Sequence, residues 1–148
     1  MSEHQITLSW SRNSGPFERG NYVREHAVRF AGGQTLENSA AGDFGGAGHA
    51  SNPEELLAAA LSSCHMLTFL AVAANRGYVI DAYDDTATAR LEKNSEGQMA
   101  VTRVTLAPKV RFGGDKQPSP EDYRKLHERA HHACFIANSV KSEVELVL

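Results

Sequence analysis

The sequence holds two cysteines, Cys64 and Cys134, and these are its leading candidates for chemistry. A thiolate is a nucleophile, and a cysteine becomes one when a neighbouring charge or hydrogen bond lowers its pKa. The plainer reading is that each is a small buried hydrophobe, the usual state of a free cysteine. Cys64, His65, His131 and Cys134 also offer thiolate and imidazole ligands, but no CxxC pair sets the spacing of a metal site, and no metal or other cofactor is expected. The first twenty residues carry no basic-then-apolar block, so the expected location is the cytoplasm. In that reducing compartment a permanent disulfide is disfavoured, and a transient catalytic or sensing one stays open.

Both cysteines fall in segments of helical period. The first helix is signalled by Asn52 as N-cap, Pro53 at the first helical position and Glu55 at the third, where its carboxylate reaches back to the cap. It continues from Leu56 to Ala74, apolar nearly all round, to Arg76 and the stop at Gly77. Ser62, Ser63 and His65 at its centre argue against a membrane span and for burial under sheets or a partner subunit. Cys64 shares a stripe with Leu57, Ala60, Leu61, Leu67 and Ala71 and is expected to face a packed surface. Glu55 is occupied by the cap, which leaves Glu54 free to serve a site or to favour the helix N-terminus. His65, about 100° round the helix from Cys64, is a poor base for it and reads as a core or interface histidine.

A second helix starts at Ser119 and Pro120 and carries Tyr123, Leu126, His127, Ala130, Ala133 and Cys134 on one inward stripe. Around the helices the period is that of strands. Gln5–Ser11 and Tyr22–Phe30 form an N-terminal hairpin across the turn Asn13–Gly20, and Ala40–Ala50 is a flexible Gly-rich loop without the Lys-Ser/Thr of a P-loop. Residues 86–91 alternate, the polar turn Lys93–Gln98 follows, and one long strand places Val104, Leu106, Val110 and Phe112 on a single face, with Pro108 marking an edge or a bulge. Val144, Leu146 and Leu148 close the chain as a strand, and Trp10 reads as a core or interface anchor. The order β-β-α-β-β-α-β is α+β, and 148 residues make one domain, 1–148. Lys+Arg 15 against Asp+Glu 18, with no basic run, excludes a nucleic-acid binder as the expected class.

Asn52-Pro53-Glu54-Glu55-Leu56-Leu57 followed by Ser63-Cys64, with a distant Ala133-Cys134-Phe135-Ile136, resembles the OsmC/Ohr family of thiol peroxidases. The likeness covers the hairpins, the central helix, the second helix and the terminal strand. It implies an intertwined α+β homodimer that reduces organic hydroperoxides to alcohols. By position, Cys64 falls on the peroxidatic cysteine, Cys134 on the resolving cysteine and Glu54 on the site glutamate. The site arginine is Arg24 or Arg19, with Arg24 preferred because it shares a face with Tyr22 and His26.

The resemblance further implies a Cys64 sulfenic acid, a Cys64–Cys134 disulfide and an external dithiol reductant, typically lipoyl. The chemistry asks for these types independently: a guanidinium lowers the thiol pKa and polarises the peroxide, and a carboxylate orients the guanidinium. Glu54 and Cys64 are about 15 Å apart along one helix and on different faces, so the glutamate acts through the arginine or comes from a second, antiparallel copy. His65, Met66 and Phe135 depart from the family pattern and mark a divergent branch. The same fold also admits a noncatalytic thiol sensor or ligand-binding dimer.

Overall fold

The structure is a computed structural model that describes residues 1–148. The chain divides into two compact units, Met1–Leu56 and Leu57–Leu148.

In the first unit the strands are β1 (Ile6–Ser9), β2 (Phe17–Glu18), β3 (Asn21–Tyr22), β4 (His26–Phe30) and β5 (Thr35–Asn38). β4 is central, antiparallel to both β1 and β5, and β2 and β3 form a separate small hairpin inside the expected turn. The single strand expected over Tyr22–Phe30 is therefore broken at Val23–Glu25. The physical reason is local: the Arg24 N–H donates to the Glu25 carboxylate at 3.0 Å, and the His26 ring bonds the Arg24 carbonyl at 2.8 Å, taking groups that a ladder would need. β5 goes beyond the expected elements, although Gly32-Gly33 is a hairpin signal and Gly33 supplies the positive φ of 87° that closes β4 onto β5.

The Gly-rich stretch holds a defined conformation rather than the flexible loop expected. A short 3₁₀ turn covers Gly42–Phe44, and a Cβ on Gly46 would lie 1.5 Å from the Ala40 carbonyl oxygen, so no other residue fits there. Ser39, 1% exposed, accepts the Ala47 N–H, and its own N–H reaches the Ser51 carbonyl at 2.7 Å, which delivers the chain to the helix start. There the expected capping box forms: Glu55 N–H donates to Asn52 Oδ1 at 2.9 Å, and Asn52 N–H to Glu55 Oε2 at 3.2 Å. Val28 is the one fully buried apolar side chain of this unit, while Ile6, Leu8, Trp10 and Phe17 are exposed.

The helix α1 (Pro53–Asn75) runs on through the second unit, followed by β6 (Val79–Asp84), β7 (Thr88–Lys93), β8 (Met99–Leu106), β9 (Lys109–Gly113), α2 (Pro120–Ala133) and β10 (Glu143–Leu146). β8 is flanked by β7, antiparallel, and by β10, parallel, whereas β9 pairs with β6. The long strand expected across Pro108 is thus two strands in two different sheets. Proline offers no N–H to either ladder, and the chain changes partner there. β6 is a further strand that the alternation did not single out.

Ala58 and Leu61 pack against Val104 and Leu106 of β8, and roughly two to four turns further along α1 Phe69 and Ala73 pack against Leu126 and Ala130 of α2. The buried stripe of α1 is Ala58, Leu61, His65, Phe69 and Ala73, one helical step away from the stripe expected. Ala60, Ala71 and Leu67 are exposed, Leu67 at 60%, so Cys64 lies on a flank and does not face the core. α1 has the length and hydropathy to cross a bilayer, yet it carries this protein-packed stripe with a histidine at its centre.

Candidate functional site

Cys64 sits in the fourth turn of α1, half-buried, on a cavity of about 370 Å³ lined also by Ser63, Leu67, Thr68, Phe135 and Ile136. α2 ends at Ala133, so Cys134 is its C-cap rather than part of the helical stripe; its N–H bonds the His131 carbonyl at 3.2 Å. The chain then turns back over α1. That turn sets the Cys134 thiol and the N–H groups of Phe135 and Ile136 near enough to the Cys64 sulfur to act on its pKa.

The two thiols respond in opposite directions. Burial is the largest single effect on Cys64 and would raise its pKa. It is outweighed by hydrogen bonds from the Cys134 thiol, the Ile136 and Phe135 amides and the Thr68 hydroxyl, so the net shift is downward. Thr68 has one hydroxyl proton and donates it to the Cys64 carbonyl at 2.8 Å, so the amides and the second thiol carry the stabilisation. Burial and the donation to Cys64 push Cys134 up to about 11, although its sulfur accepts the Ala137 N–H at 3.4 Å. Of the two, Cys64 is the thiol that loses its proton more readily and Cys134 the one that keeps it. Within Leu57–Leu148 hydrogen bonds achieve this; no ion pair is involved.

The remaining expected residues lie in the first unit. Arg24 stacks its guanidinium on Tyr22, 4.3 Å from the ring centroid, donates to the Tyr22 carbonyl at 3.0 Å and lies against Gly45, where a Cβ would come within 2.9 Å of its Cζ. Arg19 is at the exposed tip of the β2–β3 hairpin. Glu54 makes no ion pair with either, and its Oε2 is buried without a hydrogen-bond partner.

His65 is a core histidine, as expected from its angle to Cys64, and its Nε2 meets His127 Nδ1 at 3.0 Å. Burial lowers the pKa of His65 to about 4 and that of His127 to about 3, so both are neutral. The metal reading of Cys64, His65, His131 and Cys134 finds no support, because no three His, Cys, Asp or Glu side chains converge on one point. Two functional features escaped the sequence reading. The amides of Phe135 and Ile136 are backbone groups with no side-chain signature, and His127 was visible only as one more member of an inward stripe.

The family model described as OsmC-like protein matches residues 45–148. An OsmC-like protein of unknown function from Vibrio cholerae O1 biovar eltor is 41% identical over 99% of both chains, with a TM-score of 0.95. An organic hydroperoxide resistance protein from Elizabethkingia anophelis, with thiocyanate bound, is 20% identical over 99% of this chain and 93% of its own, with a TM-score of 0.73. The organic hydroperoxide resistance protein of Bacillus subtilis is 20% identical over 99% and 98%, at 0.67. The last two share the fold. No curated protein matches the sequence. The family match spans the central helix, both cysteines and the terminal strand, and with the near-complete superposition on the Vibrio relative it makes this chain a member of the OsmC-like protein family.

Proposed function

We propose that this protein is a two-cysteine thiol peroxidase that reduces organic hydroperoxides to alcohols. The observation that carries the reading is the opposed perturbation of two neighbouring thiols, Cys64 on an open cavity and eased toward its thiolate, Cys134 held protonated. The Cys64 thiolate attacks the peroxide O–O bond; the leaving alkoxide takes a proton and departs as alcohol, and Cys64 is left as a sulfenic acid. The Cys134 thiol condenses with it, forming the S–S bond and releasing water, and an external dithiol of the lipoyl type reduces the disulfide. Leu67 and Phe135, 60% and 81% exposed beside Cys64, suit an alkyl or aryl peroxide better than hydrogen peroxide.

Arg24 or Arg19 as the activating cation, with Glu54 as its carboxylate partner, belongs to the same proposal and rests on the family resemblance. The orphaned Glu54 Oε2 is a group that a guanidinium would satisfy. So does the homodimer: the exposed apolar residues of β1 and the exposed flank of α1 are surfaces that a second copy would cover. The test is intact mass and free-thiol count after one equivalent of tert-butyl hydroperoxide. Wild type should lose two protons to a Cys64–Cys134 disulfide, Cys134→Ser should stop at a sulfenic or over-oxidised Cys64, and Cys64→Ser should be inert. Three unreacted proteins would overturn the reading, and a disulfide that no dithiol recycles would make the protein a sensor.

A further inference from the structure

The most unusual polar feature outside the thiol pair is the imidazole pair His65–His127. The two side chains are 1% and 0% exposed, 3.0 Å apart between Nε2 and Nδ1, with rings nearly parallel and centroids 5.3 Å apart. Theirs is the one hydrogen bond between α1 and α2; the rest of that junction is apolar packing around Phe69, Ala73, Leu126 and Ala130.

As a source of stability the pair is poorly arranged. One bridging proton serves both rings, whichever ring carries it, and His65 Nδ1 and His127 Nε2 are left buried without partners. Two packed apolar side chains would join the helices at lower cost. A directional bond adds what packing does not, a register, because it is lost when either helix slides or turns. Its position in the chain gives that register a use. His65 directly follows Cys64, and His127 lies two turns before Cys134, whose N–H bonds the His131 carbonyl and ties the cap to α2.

We propose that His65 and His127 are a positioning pair that holds α1 and α2 in the register at which the Cys64 sulfenic acid meets the Cys134 thiol. The proposal rests on the peroxidase reading above. In the step it serves, the S–S bond forms, the Cys64 S–O bond breaks, and the hydroxyl leaves as water with the Cys134 proton. Neither imidazole touches the reacting sulfurs. The groups that face the pair are His131 and Tyr123 from α2, Tyr83 from β6 and Asp85 just beyond it. Asp85 is already engaged by the Ser62 hydroxyl at 2.5 Å and the Ala107 N–H at 2.8 Å, so it supplies no dedicated counter-ion. One added proton would keep the bridge but bury an unpaired charge, and a second would set donor against donor.

Two double variants test this. H65L/H127L replaces the bond by apolar packing; H65Q/H127N places side-chain amides where Nε2 and Nδ1 now meet and keeps a bond that does not titrate. Reduced protein receives one equivalent of tert-butyl hydroperoxide together with dimedone, a sulfenic-acid trap, and mass spectrometry reads the ratio of Cys64 adduct to disulfide. The leucine pair should fold with wild-type thermal stability and consume the Cys64 thiol at the wild-type rate, yet raise that ratio about tenfold. The Gln/Asn pair should stay within about threefold of wild type. Between pH 7 and pH 4 the ratio should rise about twofold more in wild type than in the Gln/Asn pair, a comparison that stands even where the leucine pair does not fold. A folded leucine pair with the wild-type ratio, a Gln/Asn pair as impaired as the leucine pair, or equal pH dependence in wild type and Gln/Asn would overturn the proposal. If peroxide leaves Cys64 untouched in every protein, it is the peroxidase reading that fails. Oxidation by the thiol-specific reagent diamide then still reads the register, with less disulfide expected from the leucine pair and equal yields overturning it.

Discussion

Cys64 and His65 are neighbours on one helix and have opposite surroundings. Cys64 opens on a cavity, and the second thiol and two backbone amides lower its pKa against the effect of burial. His65 is buried against His127 of α2, has one partner for two nitrogens, and is held neutral. About 100° of helical rotation separates a thiol eased toward its anion from an imidazole held neutral. Burial disfavours charge at both positions, and only where donors converge is that effect outweighed.

The largest expected effect removes one side of this contrast. Cys64→Ser should abolish peroxide consumption altogether, Cys134→Ser should strand the sulfenic acid, and Cys134→Ala, which deletes a donor, should raise the Cys64 pKa, read as slower iodoacetamide alkylation at neutral pH. An unchanged alkylation rate would mean that the amides alone set the thiolate.

Acid tests the other side. Both histidines have folded-state pKa values below their ordinary 6.5, so their stabilising contribution is complete above about pH 6.5 and is lost as the pH falls toward about 4 for His65 and about 3 for His127. In that window the unfolded chain binds more protons, and each histidine contributes a slope of up to about 1.4 kcal/mol per pH unit. Urea midpoints at pH 7 and pH 4.5 should therefore differ strongly in wild type and less in H65Q/H127N; parallel curves would contradict the neutral pair.

Smaller effects refine the cavity side. Phe135→Ala should raise KM for cumene hydroperoxide by about fivefold, roughly 1 kcal/mol of apolar contact, and leave tert-butyl hydroperoxide nearly unchanged. An equal change for both peroxides would remove Phe135 from the substrate wall. Thr68→Val should alter the Cys64 alkylation rate least, by less than about threefold, because that hydroxyl already donates to the Cys64 carbonyl.

What was legible in the sequence was local. The Asn52–Glu55 box and the Ser119-Pro120 start are satisfied within one helical turn, so their residue types fix both helix N-termini. The facing of α1 was not legible, because a helix apolar on all sides gives no period to choose between the stripe of Cys64 and the stripe of His65. The division at Pro108 was marked by the proline, but which sheet receives each half depends on β6 and β10, distant in the chain.

The same boundary runs through the candidate site. By itself the sequence determined which residues could react, two thiols on two helical segments with a family-like spacing. The tertiary structure alone decided that they are neighbours, and which of them loses its proton more readily. Donors near a thiol set how readily it ionises, and those acting on Cys64 are the Cys134 thiol and then the main-chain amides of Ile136 and Phe135, all delivered only by the turn that follows α2.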